Sequence, residues 1–162
     1  MTTSLLADPF AHHAWANERL LDACVDLTPV QLATPVPGTY GTIGDTFRHL
    51  VSSDAWYLSL CGGHELDADP REATELNDLR PAIRSMGATW RDRLANDPDP
   101  ETPVVETDDG QEFRYPLGIL LAQAIHHGTD HRSQICTALT NLGITPPEID
   151  VWAYGESTGR SA

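Results

Sequence analysis

The sequence predicts an all-α fold, a four-helix bundle with one short β-hairpin, and three observations lead there. Four segments of the 162-residue chain carry apolar residues at helical spacing. Each is bounded by capping residues, prolines or glycines that start or stop helices. The one alternating segment is brief and turns at an Asp-Gly pair. Four amphipathic helices bury their stripes most simply against one another, and a chain of this length supports one core. Residues 1–162 therefore read as a single domain.

The first helix is expected from about Asp8, an N-cap with Pro9 at the first helical position, to about Leu27. Its stripe is Phe10, Ala14, Leu21 and Cys24, interrupted by Asn17. "LTPVQL" follows as a short turn or helix, and "TPVPGTYG" as a loop. The second helix begins near Thr42 and stops at Gly62-Gly63. Ile43, Phe47, Leu50, Leu58 and Cys61 form its stripe, with Asp54 where an apolar residue belongs. The third spans about Asp78 to Asn96, with Leu79, Ile83, Met86, Trp90 and Leu94 at clean helical spacing. "TPVVETDDGQEFRYP" alternates between prolines and supplies the hairpin between the third and fourth helices. The fourth helix, about Pro116 to Leu142, stops at Gly143 and sets Leu120, Leu121, Ala124, Gly128, Ile135 and Leu139 on one side. The link from about Gly62 to Asn77 is long for antiparallel neighbours and permits a crossover.

The composition excludes several functions. Twenty-four acidic residues face ten arginines and no lysine, a net charge of −14. Nucleic acid and anionic membrane both need a basic patch, so neither is expected as a partner. The longest nearly apolar run, "PLGILLAQAI", is about half of the ~20 residues a membrane span needs. "MTTSLLADPF" has no basic region before an apolar stretch, so no signal peptide is expected. Cys24, Cys61 and Cys136 are odd in number and widely spaced, which suits reduced core thiols in a cytoplasmic protein.

The histidines carry the chemistry. His127 and His131, in "AIHHGTDHRSQI", lie four residues apart, about 40° around a helix and one turn along it. Two neutral imidazoles so placed can chelate one transition metal. They also fall within the apolar stripe, where unpaired polar groups are costly and need a shared partner. A satisfied polar patch in the core is the other reading. His126 points about 100° away, toward solvent or the hairpin. A third ligand must come from elsewhere: His49 lies mid-helix, and His13, Asp54 and His64 compete with it. His64 follows two glycines as a surface residue would, His12 reads as exposed, and His13 suits a satisfied core histidine. The HExxH zincin pattern fails because Gly128 holds the glutamate position. No Cys-x-x-Cys pair, GxSxG elbow or glycine-rich phosphate loop is present.

"GTIGDTFRHLVSSDAWYL", "AIHHGTDHRSQICTALTNLGITPPEIDVWAY" and the opening "FAHHAWANERLLDAC" together resemble the DinB/YfiT-like superfamily over nearly the whole chain. The resemblance implies a bundle of up-down-down-up topology, which would account for the long second link. It also implies a metal triad of one histidine in the second helix and an HxxxH pair in the last. Carried over by motif, these are His49, His127 and His131. Some relatives are thiol transferases or isomerases that use low-molecular-weight thiols such as mycothiol or bacillithiol, and many have no assigned reaction.

The expected protein is thus a metal-dependent enzyme. Three histidines leave an open position for water or a thiolate, the pattern of a catalytic rather than a structural site. The cation expected is divalent, zinc or nickel ahead of copper or iron. Thiol-dependent transfer to a small electrophile is preferred, with metal-assisted hydrolysis second and a non-catalytic, metal-stabilised dimeric binding module as the other class. The partners expected are a small-molecule substrate and a second copy of the chain. Arg48 and Arg132, each beside a ligand, are candidates to meet an anionic cosubstrate, or are surface arginines. Asp54 is expected behind the ligands or in the cavity, and Asp130 in solvent. The prolines of "TPPEIDVWAYG" make it an extended strip, with Trp152 and Tyr154 packed back on the bundle or on a partner. That strip either covers the core or walls the pocket above the metal.

Overall fold

The structure, a computed structural model, describes residues 4–62 and 66–161. The expectation for His64 lies outside the described residues. Most of the chain is helical. In order come α1 (Ala7–Cys24), α2 (Pro29–Leu32), α3 (Ile43–Leu60), α4 (Arg80–Leu94), strands β1 (Pro103–Asp108) and β2 (Gln111–Pro116), α5 (Leu117–Asn141) and α6 (Val151–Ser157). None of the described helices is long and apolar enough to cross a membrane.

Local chemistry starts and stops these elements. Thr28 and Thr42 each form a capping box, with Gln31 and Asp45, ahead of α2 and α3. Asp8 is not a cap. α1 begins one residue before it, because the preceding turn already lets the Ala7 N–H donate to the Ser4 carbonyl (3.1 Å). The freed Asp8 carboxylate accepts from Arg160 at 2.6 Å. α4 starts at Arg80 rather than Asp78, whose carboxylate instead accepts from the Glu75 N–H at a short 3-10 turn, Leu76–Leu79. The hairpin is antiparallel, and both turn residues, Asp109 (φ 46°) and Gly110 (φ 78°), take the left-handed conformation that a two-residue loop demands.

The C-terminal segment corrects the expectation of an extended strip. α5 stops at Asn141 with Gly143 (φ 75°) just beyond it, and past Pro146 and Pro147, Asp150 accepts from the Ala153 N–H at 2.9 Å and caps α6. Trp152, expected to be buried, is 76% exposed, because the helical turn rotates it outward. Tyr154 packs instead on α1, edge-on to Trp15 at 5.6 Å and to His12 at 5.9 Å.

α1 packs against α4 and α5, and α3 packs against the same two helices. The shared core joins Phe10 and Leu20, Phe47 and Val51, Ile83 and Trp90, and Leu121 and Ile135. Gly87 lets α4 close on α1, since a β-carbon there would lie 2.8 Å from Ala14 Cβ. Phe10 and Trp90 meet at 4.6 Å in that seam, and truncating such a buried aromatic costs about 3–5 kcal/mol. The link between α3 and α4 is tied down by Arg48, which donates to the Ala73 carbonyl at 2.7 Å. Pairing of α3 with α5 is what positions the histidines.

Candidate metal centre

α3 presents His49 beside its apolar stripe, and α5 presents His127 and His131 one turn apart. The three rings converge. His127 Nε2 lies 3.1 Å from His49 Nε2, and a ligating atom from each residue falls within 4.8 Å of the others. Ring centroids stand 5.0 Å apart for His49 and His127, 4.7 Å for His49 and His131, and 4.3 Å for His127 and His131. Tetrahedral zinc with nitrogen ligands at about 2.0–2.1 Å sets those nitrogens about 3.3 Å apart, so the donor set fits such a cation with small adjustments.

Electrostatics agree with the geometry. Burial, then the neighbouring His131 and His49 rings, pushes His127 down to about 4. Burial, then His131, also lowers His49. Both rings are therefore neutral near pH 7, the form that offers a lone pair. His131 is buried, and the other two are half-buried. Aromatic rings hold the cluster in place: Tyr40 stacks on His49 at 4.0 Å and 13°, and Tyr57 stands edge-on to His127 at 5.6 Å. Gln123 donates to the Tyr57 hydroxyl at 3.2 Å.

His49 also lines an open groove of about 660 Å³ with Tyr40, Ser52, Ser53, Trp56 and Arg71. Ser52 donates to the His49 carbonyl, leaving its oxygen lone pairs available. A second cavity, about 630 Å³ between residues 66–74 and the start of α4, contains none of the three histidines.

Behind the triad lies a buried polar network. Arg132 is not a surface arginine. It is 3% exposed and donates through Nη1 to Asn17 Oδ1 at 2.9 Å and to His13 Nδ1 at 3.2 Å. Since guanidinium only donates, His13 Nδ1 accepts, while its Nε2 lies 3.4 Å from both Asp54 Oδ2 and Asn17 Nδ2. Asp54 Oδ1 accepts from Trp90 Nε1 at 3.0 Å. The His13 ring thus bridges the buried Arg132 guanidinium and the buried Asp54 carboxyl group. Burial lowers Arg132 to about 10, partly offset by Asp54, and it stays charged at neutral pH. Gly128 makes room for this bridge between the two α5 histidines, because a β-carbon there would collide with His13.

A family model, described as the DinB family, matches residues 1–162. The chain belongs to the DinB family. No curated protein matches it in a sequence search. In this DinB family member the residues singled out from sequence fall into two groups. His49, His127 and His131 meet, and Asp54 lies buried behind them in contact with His13 and Trp90. Arg48 ties down the link, Arg132 is locked in the core, and Tyr154 packs on His12 and Trp15, while Trp152 faces solvent. His126 and Asp130 are exposed as expected; His12, expected to be exposed, is half-buried and donates to the Ile149 carbonyl at 2.8 Å. Sequence reasoning missed Tyr40, Tyr57 and Gln134. Gln134 follows His131 by three residues, so helical spacing could have flagged it.

Proposed function

We propose that this DinB family protein is a metal-dependent enzyme that transfers a low-molecular-weight thiol to small electrophiles. The observation that carries the reading is the convergence of three imidazoles on one point beside an open groove. Three-histidine sets suit zinc or nickel and leave a position for an exogenous ligand. A divalent cation held there would supply Lewis acidity and lower the pKa of a coordinated water or thiol. The chain's own contribution is to keep His49 and His127 deprotonated by burial and to bound the groove with Tyr40 and Trp56. The pairing of α3 with α4 and α5 supports an up-down-down-up four-helix bundle as the scaffold. Metal-assisted hydrolysis would use the same groove with water as nucleophile. A non-catalytic, metal-stabilised homodimer draws support from Val151 and Trp152, exposed side by side on α6.

Metal content and turnover test the proposal separately. Alanine at His49, His127 or His131 should sharply reduce zinc or nickel bound per chain, while His126→Ala should not. Full occupancy in His49→Ala would remove the triad. Metal-dependent thiol conjugation across a panel of electrophiles supports the transferase; metal binding with no conjugation or hydrolysis, in a protein that dimerises, favours the binding module.

A further inference from the structure

Gln134 stands outside the histidine set, yet both ends of its side-chain amide are engaged. Its Oε1 accepts from the Tyr40 backbone N–H at 2.7 Å, and its Nε2 donates to Asp130 Oδ2 at 3.1 Å. A backbone N–H only donates and a carboxylate only accepts, so the two ends of the amide cannot be exchanged. The same Oε1 lies 3.3 Å from His131 Nδ1. Opposite an oxygen that only accepts, that ring nitrogen carries the hydrogen. The Nε2 lone pair of His131 is then left for the cluster. Tyr40 comes from the loop before α3, and its ring stacks on His49 at 4.0 Å and stands edge-on to His131 at 5.4 Å. One amide oxygen therefore touches one imidazole and fastens the ring that covers another.

We propose that Gln134 is a positioning residue of this site: its carbonyl oxygen sets the tautomer of His131 and clasps Tyr40 over His49. The consequence for metal affinity rests on the metal reading above; the tautomer does not. Where a ligating histidine presents its other N–H to a carbonyl or carboxylate, loss of that acceptor typically weakens metal binding about 10- to 100-fold.

Three proteins decide it: wild type, Gln134→Leu, and the pair Asp130→Asn with Gln134→Glu. The pair keeps an oxygen toward His131 and Tyr40 and reverses the donor of the outer bond. Zinc affinity is measured by competition with a chelator. The His131 tautomer is read in metal-free protein from long-range ¹H–¹⁵N correlations at about pH 8.5, well above the ordinary imidazole pKa of about 6.5. Gln134→Leu should bind zinc about 10- to 100-fold more weakly, with unchanged helix content, and its His131 hydrogen should move to Nε2. The pair should keep wild-type affinity and the Nδ1–H form. An Nδ1–H tautomer or full zinc affinity persisting in Gln134→Leu overturns the proposal, as does a pair that behaves like Gln134→Leu. If leucine unfolds the chain, Gln134→Met, of equal length and without an acceptor oxygen, takes its place. Wild type that binds no zinc defeats the metal reading and the affinity claim with it, while the tautomer still decides whether Gln134 sets His131.

Discussion

Gly128→Ala ought to stabilise a helix, and here it should do the opposite. Replacing glycine by alanine in a helix interior gains about 1 kcal/mol from propensity alone. At this position, however, the new β-carbon would lie 2.3 Å from His13 Cε1, 2.7 Å from its Nδ1 and 2.9 Å from Arg132 Nη1. Carbon atoms pack best at about 3.5–4.0 Å, so His13 would have to retreat by about 1.2 Å or more. It has nowhere to go. The ring is 1% exposed and held on one nitrogen by Arg132 (3.2 Å) and on the other near Asp54 (3.4 Å). Overpacking costs about 1–3 kcal/mol, and a buried polar group that loses its partner costs about 1–3 more. After the propensity gain, the net loss is about 3 kcal/mol. At roughly 2–4 °C per kcal/mol for a domain of this size, the thermal midpoint followed by circular dichroism should fall by about 6–12 °C. In a His13→Ala background the ring collision is gone and the Arg132 guanidinium can shift into the space it leaves, so the same substitution should become neutral or mildly stabilising. A Gly128→Ala protein as stable as wild type would refute the packing argument.

Asp54→Asn keeps the side chain's shape but removes the carboxylate in contact with the His13 bridge; stranding the Arg132 charge should cost about 3–5 kcal/mol, read from urea unfolding. The pH response of metal-free protein follows from His127, whose folded pKa is pushed down to about 4. A depressed imidazole contributes stability that is fully present above its unfolded pKa of about 6.5 and is lost as pH falls through the folded value. Wild type should therefore lose urea resistance relative to His127→Gln between about pH 6.5 and pH 4, and parallel curves would contradict the neutral, half-buried ring. Trp152→Ala, at an exposed position, should shift stability of a monomeric sample by no more than about 0.5 kcal/mol. A larger loss that depends on protein concentration would point to a partner on α6.

Periodicity made the long helices readable because their buried faces are continuous: Ile83, Met86, Trp90 and Leu94 all lie in the core where their spacing put them. The hairpin was equally legible, since few sequences but Asp-Gly tolerate two successive positive φ angles. His127 and His131 followed from spacing on one helix, whereas His49 needed the family resemblance, because no local rule links α3 to α5. The interruptions in the stripes carried a further signal. Asn17, Asp54 and Arg132 break the apolar faces of three different helices, and they meet one another through His13. Isolated polar residues in separate stripes, each costly to bury alone, imply a common network. α6 was less legible because two prolines closely precede it, although Asp150 is a helix start of the ordinary kind. Tyr40 had no signal at all: it sits in an aperiodic loop, and its partner Gln134 lies 94 residues away.

The three histidines also divide the chain in time. His127 and His131 become neighbours as soon as α5 winds, but His49 is 78 residues distant from His127 and arrives only when α3 docks. On the metal reading, a cation meets a weak two-point chelate on the newly formed helix and a full site only after α4 and the hairpin have been laid between. A ligand that prefers the docked form stabilises it by about 2.7 kcal/mol at a hundred times its dissociation constant. The cation would then be a clock as well as a cofactor. The appearance of tight binding during refolding marks the moment the two halves of the molecule close on each other, and a spectroscopically visible metal such as cobalt would let that moment be timed.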